Sequence, residues 1–386
     1  MDQRFLEHGF LPEHDPCRAF PPDSPLAPLD ELGRDLPSLL IDPGFRQFAR
    51  ELNLPPWTPP DDPAESLPQM RLYYVRVGFL ASAYVNQVGQ PPSIVLPANI
   101  AVPLCGVCRL LDRPPILSYD GYALYNWRRF DPTGPIALGN IDTLQNFVHL
   151  YDEHWFILVH VEIEAIAAEI LAAIAAASRA MLDDPNVHRR PVTVFDASGQ
   201  EIGRFVPEWG TTVNESLAAI ARAVWRQVAV LRRIPEQMDP ALYFRTFRPY
   251  IRFFEHVVYE GVDAKPSDYR GETGAQSSIV PALVAFLKIP HGSSLLTDHL
   301  ADMRKFMPAE HRRLLAEIEA LPDPRPLADK AIYNDLLEAV ATFREVHIGW
   351  AYEYIHRRVE DPRGTGGTPF MRWLKQLIDE TRAWKK

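Results

Sequence analysis

Four residues stand out because their chemistry conflicts with where the sequence puts them. His160 falls on the stripe Phe156, His160, Ile163, Ile166, Ile170, Ile174, and His347 on the stripe Leu336, Val340, Phe343, His347, Trp350, Tyr354. Both patterns step by three and four, so each predicts a helix with an imidazole on its apolar face. An imidazole so placed is either satisfied by a backbone carbonyl or free to bind a metal or accept a hydrogen bond. Arg248 stands four residues after Phe244 and three before Ile251, and Arg344 lies one turn before His347. A guanidinium keeps its charge, so burying it calls for an anion, either an internal acid or an anionic ligand.

Other constellations are weaker. Cys105 and Cys108 form a CxxC with no second pair and no strand leading into it, so two buried helical cysteines are expected rather than a zinc or redox site. Glu162 and Glu164 are two apart on a predicted helix and point to different faces, which predicts a solvated position rather than a paired acid/base site. The run Gly364, Thr365, Gly366, Gly367, Thr368 lacks the Lys-Ser/Thr ending and the strand of a phosphate loop, leaving a lid or a plain linker.

The elements that must position these residues follow from composition and pattern. The chain has 386 residues, 47% hydrophobic and 23% charged, enough to build a sizeable core, with two domains as the prior from length. Fifty Asp and Glu against 40 Lys and Arg give a formal charge of −10, which opposes binding to a phosphate backbone, so no nucleic acid is expected as a partner. Three cysteines, Cys17, Cys105 and Cys108, cannot make a disulfide framework and suit a reducing, cytoplasmic compartment. Met1 to Pro12 has no basic start followed by an apolar core, so no secretory leader is expected. Phe156 to Met181 is the most membrane-like stretch, but His160, Glu162, Glu164 and Glu169 interrupt it, which predicts a buried helix and no membrane partner.

The 37 prolines crowd the N-terminal part, for example Leu54 to Pro63 before the apolar run Met70 to Tyr84, predicting short helices joined by proline turns. From about residue 150 the segments lengthen. A second long helix is expected from an Asn214 cap through Leu217, Ile220, Val224, Val228 and Leu231. Between the two long helices, 192–206 carries β-branched residues around Ala197, Ser198 and Gly199, the pattern of an inserted hairpin.

Several segments, in this order, resemble the indoleamine 2,3-dioxygenase family of haem enzymes nearly end to end. They are Gly9 to Pro12, Leu96 to Cys105, Arg113 to Leu117, Tyr119 to Trp127, Gly274 to Ser278, Asp302 to Pro308, the Arg344 and His347 helix, and Gly364 to Thr368. The resemblance implies an all-α protein with a small N-terminal helical domain (1–150) packed on a large C-terminal haem-binding domain (151–386), the hairpin being an insertion. It implies haem b with His347 as iron ligand and Arg344 paired with a propionate, and Gly271 and Glu272 near the cofactor. It implies that Arg248 grips the substrate carboxylate and that Thr365 and Gly364 close over the amino-acid end. The indole would lie among Tyr119, Tyr122, Ala123, Phe156, His160, Tyr243 and Ile251, with Thr273 and Gly274 beside it.

The implied reaction is cleavage of the indole C2=C3 bond of L-tryptophan by dioxygen, giving N-formylkynurenine, in a monomer that needs a separate, unidentified reductant. Three positions depart from the mammalian pattern. His160 replaces a serine and is similar to the histidine of the tryptophan 2,3-dioxygenases that can accept the indole N–H; Tyr122 replaces a small residue; Tyr243 replaces a phenylalanine. These predict a smaller or more polar pocket. Two alternatives belong to the same family: a haem protein acting on a substituted indole in secondary metabolism, and an oxygen-binding protein without catalysis.

Overall fold

The computed structural model describes residues 2–182, 192–195, 200–205, 208–293, 295–358 and 370–386. The fold is all-α, as expected, with three small sheets attached. In chain order the helices are α1 (Gln3–His8), α2 (Pro28–Leu39), α3 (Phe45–Glu51), α4 (Pro63–Val85), α5 (Ala98–Leu110), α6 (Tyr151–Leu182), α7 (Glu208–Leu231), the single turn α8 (Pro240–Leu242), α9 (Ile279–Phe286), α10 (Leu295–Met303), α11 (Ala309–Glu319), α12 (Lys330–Tyr354) and α13 (Phe370–Ala383).

Helix α4 begins where the sequence says it must. Asp62 accepts the amide of Ala64 at 2.9 Å and Pro63 takes the first helical position, where a missing N–H costs nothing. The run through Tyr73, Tyr74, Val77 and Phe79 is then wholly buried as the centre of a core shared with α5, which buries Cys108 completely and nearly all of Cys105.

The second core lies between α6, α7 and α12. Helix α6 has 32 residues, about 48 Å at 1.5 Å per residue. It is buried on most sides, which is why its apolar residues outnumber one stripe. Among the described residues no helix is long and apolar enough to cross a membrane. The cores interleave across residue 150: Phe5 and Phe10 belong to the second, while Tyr250, Ile251, Phe254 and Met303 belong to the first.

Asn214 does not cap α7, which starts six residues earlier at Glu208. Its side-chain oxygen instead accepts the amide of Asp329 at 2.6 Å, and Asp329 caps α12 by accepting from Ala331 and Ile332. The residue thus fixes the start of the helix that carries His347. The hairpin is present as β4 (Val192–Phe195) antiparallel to β5 (Glu201–Phe205), with residues 196–199 and 206 outside the described set.

Two other sheets were not foreseen. Strands β2 (Trp127–Arg129) and β3 (Ile141–Thr143) pair antiparallel. Strand β1 (Val95–Leu96) runs parallel to β6 (Phe254–Tyr259), which turns back through Gly261, at φ 75°, into antiparallel β7 (Asp263–Tyr269). This sheet delivers the chain into the loop that begins at Gly271.

Candidate active site

A cavity of about 480 Å³ lies between α6 and α12 and is closed on a third side by the loop 272–275. Its walls are mostly apolar: Phe156 and Ile163 from α6, Leu231 from α7, Val280 and Val284 from α9, Phe343 and Trp350 from α12. Both histidines singled out by sequence line it, from opposite helices.

The two imidazoles have different jobs available to them. His160 places Nδ1 2.7 Å from the Phe156 carbonyl. A carbonyl only accepts, so Nδ1 carries the proton and Nε2 keeps its lone pair. Burial holds the His160 pKa below the ordinary value, preserving that neutral form. Its ring sits 4.6 Å from Phe156 and 5.9 Å, edge on, from Tyr119. Among the described residues nothing hydrogen-bonds either nitrogen of His347. Burial, reinforced by the nearby His160, pushes its pKa down to about 4, so it presents a neutral nitrogen, the form that binds iron.

The loop 271–278 is built to stand between them. A Cβ on Gly271 would lie 2.4 Å from the carbonyl oxygen of Ile251 and the carbonyl carbon of Arg252, so only glycine permits that approach. The Gln276 amide donates to the Gly271 carbonyl at 2.9 Å and its oxygen accepts from the Tyr119 amide at 3.0 Å. Thr273 caps the following turn, Gly274–Gln276, through the Ala275 amide. Ser277 donates to Glu164 Oε1 at 2.7 Å, and Tyr119 donates to the same oxygen at 2.8 Å.

Glu164 is therefore not on a solvated face. It is fully buried, and loss of water raises its pKa to about 7. The two-residue spacing from Glu162 was read correctly as opposite faces, but both faces of α6 are covered here: Glu162 itself accepts the Leu138 amide at 2.8 Å. Glu153 is a second buried carboxyl, raised to about 7 by burial, accepting from the Phe147 and Val148 amides and from Tyr122 at 3.1 Å. Glu153 was not singled out by sequence and Glu164 was expected at a solvated position, since the apolar run around each of them looked like a single stripe.

Of the residues the resemblance named, the cavity brings together Tyr119, Phe156, His160, Tyr243, Glu272, Thr273, Gly274, Arg344 and His347. Tyr122, Ala123, Ile251, Gly271 and Arg248 are buried beside it without forming its wall. Tyr122 stacks on Phe79 and Phe147 and stands 6.3 Å behind Phe156. Ile251 accepts the Glu272 amide at 3.1 Å. Gly364 and Thr365 lie outside the described residues.

Two of these segments are π-turns, Asp120–Leu124 and Tyr243–Phe247, a local widening that periodicity does not reveal and that recurs at functional sites. The first carries Tyr122 and Ala123 and is anchored by the buried ion pair of Arg113 with Asp120. The second ends at Arg248, whose amide bonds the Tyr243 carbonyl at 3.1 Å. The Arg248 guanidinium lies 5.2 Å over the Phe244 ring, is hydrogen-bonded to the Tyr243 hydroxyl, and has its pKa lowered mainly by burial.

Arg344 is completely buried, and burial lowers its pKa to about 10. It donates to the Leu377 carbonyl at 2.9 Å and to the Thr381 hydroxyl, both on α13. Among the described residues it forms no ion pair.

These features fit a haem. Among the described residues no group of three His, Cys, Asp or Glu side chains could hold a metal ion, whereas a haem iron asks the protein for as little as one ligand. His347 offers the nitrogen, the apolar walls suit a porphyrin, and Arg344 is a buried cation with no carboxylate of its own. The space before His347 is kept open by Gly274, where a Cβ would stand 3.9 Å from Nε2.

Comparison with known proteins agrees. The profile of the indoleamine 2,3-dioxygenase family matches residues 5–361. The chain is similar to indoleamine 2,3-dioxygenase 1 of Rattus norvegicus, 29% identical over 81% of this chain and 79% of that protein. It is similar to the indoleamine 2,3-dioxygenase of Saccharomyces cerevisiae, 26% identical over 82% and 78%. It also resembles a 6-hydroxytryptophan 2,3-dioxygenase of Fusarium equiseti, 25% identical over 91% and 83%. With an apolar cavity faced by two neutral imidazoles and a family profile covering nearly the whole chain, this protein belongs to the indoleamine 2,3-dioxygenase family, oxidoreductases that use haem and dioxygen on an indole.

Proposed function

We propose that the enzyme cleaves the C2=C3 bond of L-tryptophan, inserting both atoms of dioxygen to give N-formylkynurenine. The observation that carries this reading is the pairing of His160 and His347 across one apolar cavity, one with an acceptor nitrogen free for the indole N–H, the other with an unbonded nitrogen for iron. Haem, when bound, supplies the activation of dioxygen.

The protein's own residues hold and orient. His347 anchors the iron and Arg344 neutralises a propionate. His160 Nε2 accepts the indole N–H, which fixes the ring's rotation. Phe156, Tyr119 and Tyr243 confine the ring, and Arg248 takes the carboxylate through a charge-assisted bond from behind Tyr243. Residues 1–150 cover this side of the cavity, and 151–386 carry the haem. The three cysteines are free thiols, in keeping with a reducing cytoplasm, where a separate reductant keeps the iron ferrous.

A ring-substituted tryptophan is the second reading, favoured by the similarity to the 6-hydroxytryptophan enzyme and by the Ser277 residue and Tyr119 hydroxyl in the wall region. One experiment separates the readings. Haem-loaded, reduced enzyme is mixed with dioxygen and either L-tryptophan or 6-hydroxytryptophan, and the products are weighed. Fastest conversion of L-tryptophan to a product heavier by two oxygen atoms is expected. Exclusive conversion of the hydroxylated substrate would select the second reading, and a stable oxygenated haem with both substrates intact would refute both.

A further inference from the structure

Two acids line the cavity, Glu272 and Glu319, and Glu319 is already paired with Arg304. Glu272 is 3% exposed and lines the wall, and among the described residues its carboxyl receives no hydrogen bond and joins no ion pair. Burial alone raises its pKa to about 8, so no neighbouring cation relieves it. A buried carboxyl without donors is costly, and one that faces a ligand cavity is a position at which a ligand can supply the missing donor.

Its surroundings indicate which donor. Glu272 disfavours ionisation of three phenols, Tyr119, Tyr122 and Tyr243. Tyr243 feels both Arg248 and Glu272, and its hydroxyl is hydrogen-bonded to Arg248. An acid and a guanidinium thus both act on one phenol of the cavity wall. An α-amino acid brings the complementary groups: a carboxylate for the guanidinium, and an ammonium with the N–H donors that the unpaired carboxyl lacks. The Glu272 backbone is also held firmly, by its amide's bond to Ile251 and by the Gln276 clamp on Gly271.

We propose that Glu272 receives the ammonium group of the substrate whose carboxylate Arg248 takes. The proposal rests on the reading of the cavity as the site of an indole amino acid. It makes Glu272 a specificity residue that selects an amino acid over the same indole acid lacking nitrogen, because a ligand without the amine leaves the carboxyl buried and unpaired.

The test is an equilibrium titration of ferric, haem-loaded enzyme followed by the shift of the Soret band, with L-tryptophan and with indole-3-propionic acid, which lacks only the amine. The wild type should bind L-tryptophan at least tenfold more tightly. Glu272→Gln should bind indole-3-propionic acid as well as or better than the wild type and lose tenfold or more for L-tryptophan, erasing the preference. Glu272→Asp, which keeps the charge, should retain part of it. Indole-3-propionic acid is the internal control for folding. An unchanged preference in Glu272→Gln, with L-tryptophan still bound and cleaved by the wild type, would overturn the assignment of Glu272 alone. A wild type that binds neither ligand would overturn the assignment together with the reading of the cavity beneath it.

Discussion

Replacing Glu164 with Gln should remove one buried carboxyl's share of the pH dependence of stability. The folded carboxyl titrates near 7 because of burial, while the same group in the unfolded chain titrates at about 4.5, the ordinary value. The folded state therefore holds an extra proton between those limits. Stability contributed by that proton is present near pH 4.5, falls as pH rises towards 7, and is flat above, where both states are ionised. Integrated from pH 5 to pH 8, the loss is about 2 to 3 kcal/mol. Gln cannot titrate. It can still accept from Tyr119 and Ser277, but its amide hydrogens face the place where Glu164 Oε2 has no partner, at a constant cost of about 1 to 3 kcal/mol. The constant cancels when two pH values are compared. Urea denaturation of wild type and Glu164→Gln, followed by tryptophan fluorescence at pH 5 and pH 8, gives the difference directly. The variant should gain about 2 to 3 kcal/mol on the wild type between these pH values. Equal differences at both would show that Glu164 is ionised throughout and that its pairing with Tyr119 and Ser277 has been misread.

Three further outcomes follow from the cavity. Gly271→Ala drives a Cβ against the backbone of residues 251 and 252, so thermal unfolding should show a loss of about 1 to 3 kcal/mol; a loss below about 0.5 kcal/mol would mean the loop is not fixed there. Gly274→Val fills the space before His347 Nε2, so haem titration should show binding weakened at least tenfold while apoprotein melting is little changed; full haem occupancy would refute the open slot. Arg248→Ala should raise the L-tryptophan KM about 30-fold or more, from about 2 to 5 kcal/mol for a desolvated charge pair, with haem content unchanged; an unaltered KM would remove Arg248 from substrate binding.

The helical scaffold was legible because its signals are periodic. The stripes through His160 and His347 gave α6 and α12, and the apolar run Met70 to Tyr84 gave most of α4. The features that escaped are set by contacts between distant segments. Asn214 serves α12 rather than its own helix, the β1–β6–β7 sheet needs partners 163 positions apart, and a π-turn leaves no mark on a three-and-four repeat.

The site divides the same way. His160, His347, Arg248 and Arg344 stood out by their own pattern and the rest came from the resemblance, and the structure gathers most of them around one cavity. What each can do came only from geometry: the proton on His160 Nδ1 follows from one carbonyl, and the burial of Glu164 follows from Ser277, 113 residues away. Glu272 was named with the cofactor, and only its lack of partners inside an apolar wall gives it a task of its own.

The central claim is that the cavity holds a haem whose iron is bound by His347. The direct measurement is the ferrous spectrum of haemin-reconstituted wild type and His347→Gly, each with and without added imidazole. The account predicts a five-coordinate, histidine-ligated spectrum in the wild type, its loss in the variant, and its return when free imidazole occupies the vacated place. A variant whose haem content and spectrum match the wild type before imidazole is added would contradict it.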